Sequence, residues 1–165
     1  MVLEKKVVFT VDLEDWNHAL HITKGSHTSI YALRWLLILL NFYKIQSTFY
    51  VLKQFEREYP SIVEEIGTKH ILKTHGDLHY RGEKADRNPY AWLGFTGGFW
   101  FRFLPYWLIK WCILQRGECY FHPHDFDENH PRLRNLWYNW KRHIGLKGAR
   151  KKLERLLQEI EWRKL

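Results

Sequence analysis

The sequence predicts an α/β fold with parallel strands. Short apolar runs rich in β-branched residues alternate along the chain with segments in which leucine and isoleucine recur at helical spacing. Strands separated by helices form parallel sheets. Polar residues stand at the ends of three of the runs, at Asp12, His75 and His122. Because ligands bind at the carboxyl ends of parallel strands, this pattern also predicts where a functional site lies.

The first half of the chain predicts three strands and two helices. The run KVVFTVD is apolar until its final acid, as expected for a buried strand with a polar tip. The first helix has Ser29 as a possible cap, and the second begins at Pro60 and stops at Gly67. The predicted strands are 6–12, 47–52 and 70–75, the helices are 29–43 and 59–67, and residues 13–28 form a loop.

The second half predicts a long loop, two further strands and two helices. The loop is polar and rich in Gly and Arg. The alternating aromatic residues of FWFRFL favour a strand, and the helix after it has Pro105 at its start and Gly117 at its end. The last helix is amphipathic. The loop is 76–98, the strands are 99–104 and 118–122, and the helices are 105–117 and 147–162.

Length and composition favour a single soluble domain over residues 1–165. The chain is 45% hydrophobic and 27% charged, which is ordinary for a domain large enough to bury a core. Aromatic residues make up 17%, which indicates either an aromatic core or a surface that stacks on sugars or nucleobases. Because Cys112 and Cys119 form no CxxC pair and no signal segment is evident, we expect a cytoplasmic protein.

The net charge of +8 is concentrated at the C-terminal end. Residues 141–165 contain nine Lys or Arg and three acids. A basic surface suits nucleic acid, anionic polysaccharide or anionic lipid, and the alternative is an ordinary solvated helix face. The aromatic stretch 99–114 allows a peripheral membrane contact, although no apolar run reaches the roughly 20 residues that span a bilayer. We do not expect nucleic acid to be the partner.

Two groups of metal-ligating side chains lie at the predicted strand ends. Asp12, Glu14 and Asp15 fall within four residues of the first strand end, and His75 and His79 are four residues apart after the third. Packed carboxylates repel one another, which a cation relieves. One carboxylate and two imidazoles leave open positions for water, as in catalytic metal sites. The alternatives are a solvated turn for the acids and a chance spacing for the histidines.

A third histidine, His122, ends the predicted strand 118–122 and is the first residue of the sequence HPHD. A histidine that reaches the same edge as a metal site is a candidate general acid for a leaving group. A second carboxylate at the edge is a candidate base for the water. A hydrogen-bonded core histidine is the alternative interpretation of His122.

With these residues in place, the chain resembles the polysaccharide deacetylases, the NodB-homology enzymes of the carbohydrate esterase family 4 type. It is most similar to the subfamily associated with bacterial exopolysaccharide and exosortase loci. Four segments carry the resemblance in the family's order: FTVDLEDW (9–16), STFYVLKQFEREYPSIVEEIGTKHILKTHGDLHY (47–80), GGFWFRFLPYWLIKWCILQRGECYFHPHDFDENHPRL (97–133) and LKGARKKLERLLQEI (146–160). The resemblance implies a reduced or incomplete NodB-type distorted β/α barrel with parallel strands.

The resemblance also implies roles for individual residues. Asp12 matches the catalytic base and His122 the catalytic acid. The metal ligands would be Asp15, or Glu14 as a close rival because the spacing is wider than usual here, together with His75 and His79. The implied cofactor is a divalent metal, with zinc favoured by the nitrogen-rich ligand set. The implied reaction is metal-assisted hydrolysis of an N-acetyl or other N-acyl group on a sugar or polysaccharide.

The sequence departs from the family in its middle region. The Arg-Pro motif that orients the base, and a further motif with an acid and an aromatic residue that lines the pocket, are not found between His79 and Gly97. About five strands are predicted, too few to close a barrel, so one sheet edge is expected to need a cover. Either homodimerisation or the loop 76–98 would supply that cover.

Three functions therefore compete at this point. The first is a metal-dependent deacetylase of N-acylated sugars, which the strand-end residues and the resemblance favour. The second is a different metal-dependent hydrolase, such as a phosphoesterase or nuclease, which the basic charge suggests. The third is a non-catalytic glycan-binding or assembly protein that keeps the same fold, which the missing motifs suggest.

Overall fold

The computed structural model describes residues 6–14, 28–76, 96–129, 131–132 and 134–164. The strands are β1 (Val8–Leu13), β2 (Ser47–Val51), β3 (Ile71–Thr74) and β4 (Glu118–Phe121). The helices are α1 (Thr28–Phe42), α2 (Lys53–Glu58), α3 (Pro60–Gly67), α4 (Gly98–Phe103), α5 (Tyr106–Arg116), α6 (Leu136–His143) and α7 (Leu146–Glu159), and a 3₁₀ turn spans Pro123–Phe126.

The four strands form one parallel sheet in the order β3-β2-β1-β4. This confirms the predicted α/β class with parallel strands. In the pairing of β1 with β4, Val11 lies opposite Phe121. The next residues along the two strands are Asp12 and His122, so the register alone brings them to neighbouring positions at the carboxyl edge. The central strand β1 is buried from Phe9 onward, as expected for a parallel sheet covered on both faces.

The prediction of a strand at 99–104 is wrong, because these residues form α4 instead. Gly97 makes a single parallel bridge with Tyr120 of β4, and Gly98 then takes a φ of 53° that ends the extended conformation. Phe99 and Phe103 are four residues apart, and their rings stack with centroids 5.5 Å apart. These two aromatic residues therefore lie on one face of a helix, where residues four apart are neighbours.

Other differences from the sequence prediction are additions and small shifts of the ends. The helices α2 and α6 and the 3₁₀ turn have no counterpart among the predicted elements. Asn135 caps α6, because its side-chain oxygen accepts the backbone N–H groups of Trp137 and Tyr138 at 3.1 Å. Most of the predicted loops 13–28 and 76–98 lie outside the described residues.

The core joins β1 and β4 to the helices through aromatic rings. Phe121 lies 5.2 Å from Phe9 and 4.8 Å from Phe101, measured between ring centroids. The large side chains that are fully buried include Trp162, Phe9, Phe49, Phe55, Phe101, Phe121, Phe126, Leu13, Leu33, Leu36, Leu40 and Ile45. Burial of an aromatic or branched side chain contributes about 1.5–3 kcal/mol each. Part of the unusual aromatic content is thus a packed core.

The end of the chain returns to the start of the sheet. Trp162 forms a parallel bridge with Val7, and Lys164 forms an antiparallel bridge with Ile45. The indole N–H of Trp162 donates to the carbonyl of Leu157 at 3.2 Å. These contacts secure the amino-terminal side of the sheet and leave the opposite, carboxyl edge for the polar residues. Within the described ranges, no helix has the length and apolarity needed to cross a membrane.

The close approach of Gly97 to β4 makes a stability prediction. A Cβ added at Gly97 would overlap the backbone carbonyl of Tyr120, and backbone in a paired strand cannot easily move away. We expect Gly97→Ala to lower the free energy of unfolding by about 1–3 kcal/mol, the usual cost of overpacking. Urea unfolding and the Tm measure this change.

Gly148 in α7 is the matched control, because nothing lies within 4 Å of an added Cβ there. Gly148→Ala should raise the free energy of unfolding by roughly 0.5 kcal/mol, since alanine loses less conformational freedom in a helix than glycine. Equal effects of the two substitutions would contradict the close packing of Gly97 on β4.

Candidate active site

The candidate site begins with two buried carboxylates that face one imidazole. Asp12 is 3% exposed and Glu14 is 2% exposed. His122, which follows β4, places its Nε2 atom 3.7 Å from Oδ2 of Asp12 and 3.7 Å from Oε1 of Glu14. The His122 side chain is 21% exposed. One ring nitrogen therefore lies beside both acids while the imidazole still reaches the surface.

The other ring nitrogen of His122 is held by Asp125. Its Nδ1 atom lies 3.4 Å from Oδ2 of Asp125, and the same oxygen accepts the backbone N–H of His122 at 2.9 Å. In return, the backbone N–H of Asp125 donates to the carbonyl of His122 at 3.0 Å. The turn Pro123–Phe126 thus positions Asp125 to orient the imidazole, in the way that a carboxylate fixes a catalytic histidine.

Arg102, from α4, completes the buried part of the site. Its Nη2 atom lies 3.6 Å from Oδ1 of Asp125, and both side chains are almost fully buried. The guanidinium also donates to the backbone carbonyls of Arg142 at 2.7 Å and of Lys141 at 3.3 Å. These carbonyls belong to the last turn of α6, whose orphan acceptors need partners. Arg102 therefore ties α4 and α6 to the turn that holds His122.

Formal charges in this cluster balance when His122 carries a proton. The acids are Asp12, Glu14 and Asp125, and the bases are Arg102, Arg142 and His122. Burial opposes a charge on His122, but the hydrogen bond and charge of Asp125, with the charges of Asp12 and Glu14, raise its pKa to about 9. His122 is therefore protonated at neutral pH.

Asp125 has the complementary shift. Burial alone would raise the pKa of its carboxyl, but the hydrogen bond from His122 and the charge of Arg102 hold that pKa well below its usual range. The neighbouring His124 differs from His122 although their rings stack, with centroids 4.7 Å apart. Burial and the charge of His122 lower the pKa of His124 well below the usual value, so it stays neutral. Two adjacent histidines thus have opposite protonation states.

His122, His124 and Asp125 also form a group that could hold a metal ion. Each offers one donor atom, and the three atoms lie within 4.8 Å of one another. A cation there would compete with Arg102 for Asp125. This contact favours a positioning role for Asp125 over ligation.

A cavity of about 240 Å³ opens over His122. Its lining includes Gly98, Phe99, Tyr120, Tyr138 and Lys141. Burial and the charges of Asp125 and Asp12 raise the pKa of Tyr120 to about 12, so its hydroxyl remains protonated at neutral pH and can donate a hydrogen bond. The cavity offers space for a small polar group next to the imidazole.

The structure brings together some of the residues that the sequence singled out. The Nε2 atom of His122 lies 3.7 Å from a carboxylate oxygen of Asp12 and 3.7 Å from one of Glu14. His75 follows β3 at the same edge of the sheet, and its backbone N–H donates to the carbonyl of Val51 at 2.8 Å. Because β2 separates β3 from β1, the backbones at the two strand ends are roughly 10 Å apart.

Two of the predicted metal ligands, Asp15 and His79, lie outside the described residues. The predicted ligand set of Asp15, His75 and His79 therefore stays a prediction. So do the roles of Asp12 and His122, whose positions agree with the expected convergence at one edge.

Sequence reasoning missed Arg102 and Asp125. The acid stands three residues after His122 in FHPHDFD, a spacing that places a side chain back on the start of a turn. The arginine stands inside the aromatic run FWFRF, and an arginine among buried aromatic residues needs a charged or carbonyl partner. Both signals were present, but neither identifies the partner.

Comparison with known protein families gives a match over the C-terminal part of the chain. Residues 88–165 match the model of a protein family described as a domain of unknown function (DUF3473). The matched range contains Arg102, His122 and Asp125, whereas Asp12 and Glu14 precede it. Neither the curated proteins nor the solved structures include a match to this chain.

Proposed function

We propose that this chain hydrolyses an N-acyl group, such as an acetyl group, on a sugar of a bacterial polysaccharide. The observation that supports this most strongly is the position of His122. Its Nε2 lies beside two buried carboxylates, Asp12 and Glu14, and its Nδ1 faces Asp125. Amide hydrolysis needs a base for the water and an acid for the departing nitrogen, and these groups supply both.

The proposed chemistry assigns one proton to each group. Asp12 accepts a proton from the attacking water as the new carbon–oxygen bond forms at the acyl carbonyl. His122 donates its Nε2 proton to the sugar nitrogen as the carbon–nitrogen bond breaks, which yields a carboxylic acid and an amine. Asp125 keeps the imidazole oriented and stabilises its charged form, so the acid is ready at neutral pH.

A divalent metal, with zinc as our choice, completes the proposal. Asp15, His75 and His79 would hold it, with Glu14 as the rival to Asp15. One carboxylate and two imidazoles are a donor set that zinc accepts in catalytic sites, and His75 follows β3 at the carboxyl edge of the sheet, where Asp12 is the last residue but one of β1. When bound, the metal supplies Lewis-acid polarisation and a lower pKa for water.

The matched family supports the same class of function. The domain of unknown function that matches residues 88–165 is associated with polysaccharide deacetylases. That range includes the proposed acid His122 and its positioning partners Arg102 and Asp125. The association agrees with the sequence resemblance and extends it no further than a deacetylase-related domain.

The test is release of free amine from N-acetylglucosamine oligomers by purified protein. We expect amine release with added zinc, its loss after treatment with a chelator, and its return when zinc is restored, because the proposed metal activates the water. Metal analysis of the same samples should follow the activity. Absence of amine release from the zinc-loaded protein, across N-acetyl, N-formyl and longer N-acyl sugars, would count against the proposal.

A second candidate is a non-catalytic glycan-binding protein of the same fold. It is favoured by the sequence itself, which lacks the family's Arg-Pro and pocket-lining motifs in the expected region. Binding of N-acetylglucosamine oligomers without any release of amine is the result that would select this candidate.

A further inference from the structure

A second, larger cavity adjoins the candidate active site. It measures about 490 Å³ and is mainly aromatic. We call it the aromatic cleft. Its principal lining residues are Phe99, Phe103, Tyr120, Trp137, Trp140 and Lys141.

The rings of the aromatic cleft form two ordered stacks. Trp137 and Trp140, on α6, are stacked with centroids 5.1 Å apart and planes 22° apart. Phe99 and Phe103, on α4, are stacked with ring centroids 5.5 Å apart and ring planes 10° apart. Trp140 joins the two stacks, since its ring lies 5.8 Å from Phe99. Packing between the rings holds flat apolar faces in fixed positions on neighbouring helices.

Contact of these apolar ring faces with water is unfavourable. Trp137 is 64% exposed and Trp140 is 43% exposed. Contiguous apolar surface of this kind usually marks a binding site. A cleft of this size, with aromatic walls and few polar groups, has the character of a small-molecule or oligomer site.

The cleft adjoins the cavity over His122, because the two share part of their lining. Phe99, Tyr120 and Lys141 line both. Lys141 places its Nζ atom 5.7 Å from the centroid of Phe99, at the boundary of the two cavities. A ligand with one unit at His122 can therefore extend its next units over the aromatic rings.

The chemistry of the lining selects the kind of ligand. The apolar C–H faces of a pyranose ring pack on flat aromatic side chains, while its hydroxyl and acyl groups need a few polar partners. Lys141 is the single charged group in the described lining, whereas nucleic acid requires a row of cations along its phosphates. We propose that the aromatic cleft binds the sugar units adjacent to the unit at His122. This inference rests on the proposed function and adds to it the surface that binds the neighbouring sugar units of the polymer.

The test compares binding of N-acetylglucosamine with binding of its tetramer by isothermal titration calorimetry. We expect the tetramer to bind at least about tenfold more tightly, and Trp137→Ala to remove about tenfold of that affinity, by analogy with the stacking of bases on aromatic rings. Binding of the monomer should change little. Trp107→Ala is the control, since Trp107 is 70% exposed on α5 and does not line the cleft.

Several results would overturn the inference. One is equal affinity for monomer and tetramer, and another is the same loss from Trp107→Ala as from Trp137→Ala. Loss of self-association, or of binding to anionic vesicles, in Trp137→Ala with unchanged tetramer affinity would assign the cleft to a second copy or to a membrane.

The outcome is separable from the proposed function. Tetramer binding that depends on Trp137, without release of amine, would support the cleft and reject the hydrolase. Amine release at equal efficiency from monomer and tetramer would support the hydrolase and reject the role of the cleft.

Discussion

His122→Gln should lower kcat for amine release by about 10²–10⁴-fold, the usual contribution of a general acid. Glutamine has no proton to give to the departing nitrogen at neutral pH. The backbone N–H of residue 122 remains, so its hydrogen bond to Asp125 at 2.9 Å is kept and the turn should stay folded. Steady-state kinetics with zinc-loaded protein measure the change, and circular dichroism checks the fold.

His143→Gln is the control for a lost histidine outside the site. Its Nδ1 atom is hydrogen-bonded to the carbonyl of Asn139 within α6 at 2.8 Å, and it is not a member of the group formed by His122, His124 and Asp125. Its kcat should stay within about threefold of the wild type. A His122→Gln protein that keeps wild-type kcat would exclude His122 as the acid.

Asp125→Asn should have the largest effect on stability. The substitution leaves the buried guanidinium of Arg102 without the carboxylate 3.6 Å away. Removal of one partner from a buried ion pair costs roughly 3–5 kcal/mol. Equilibrium urea unfolding at pH 7 measures the loss. The same substitution removes the main attraction that holds a proton on His122, so the pKa of His122 should fall from about 9.

The proton on His122 makes the free energy of unfolding depend on pH. The pKa of His122 is raised from 6.5 to about 9 in the folded protein, so the folded state holds this proton more tightly than the unfolded state. The resulting stabilisation is fully present below pH 6.5 and is lost as the pH rises through about 9. Asp125→Asn should reduce this decline in the free energy of unfolding between pH 6.5 and 9, and should move the alkaline limb of kcat/KM to lower pH.

Asp127→Asn is the matched control for a nearby buried acid. Asp127 accepts the backbone N–H of Asn129 at 3.0 Å, a bond that an asparagine oxygen can also accept. Asp127→Asn should lower the free energy of unfolding by only about 1 kcal/mol and should leave the alkaline limb of kcat/KM unchanged. If Asp125→Asn were no more costly than Asp127→Asn, the buried pair with Arg102 would not have the role assigned to it.

The strand ends could be predicted from the sequence because parallel topology is simple. Apolar β-branched runs mark the strands, and the polar residue that closes each run marks the edge, as Asp12 and His122 show. Parallel strands then bring these ends together whatever the length of chain between them. The class of fold and the meeting of Asp12 with His122 follow from this local information.

The helix α4 could not be predicted in the same way. The alternating rings of Phe99, Phe101 and Phe103 match the two-residue period of a strand and so favour the wrong element. The backbone of Gly98, with its positive φ, and the packing of Phe101 on Phe121 decide the matter. Both are tertiary facts that a local pattern does not contain.

The positioning residues show the same limit for the site. Arg102 and Asp125 are 23 residues apart in sequence, and their pairing depends on where α4 and the 3₁₀ turn are placed by the sheet. The Arg-Pro motif of the polysaccharide deacetylases is not found in the middle of this sequence. In this protein an arginine from α4 and an acid next to the histidine itself occupy the buried side of the site.

The most direct test of the account is Asp12→Asn, with amine release and bound zinc measured on the same preparation. We predict that turnover falls by at least about 10²-fold, because an amide cannot accept the proton of the attacking water, and that the zinc content stays at the wild-type level. Wild-type turnover in Asp12→Asn would contradict the hydrolytic role given to the edge where Asp12 meets His122.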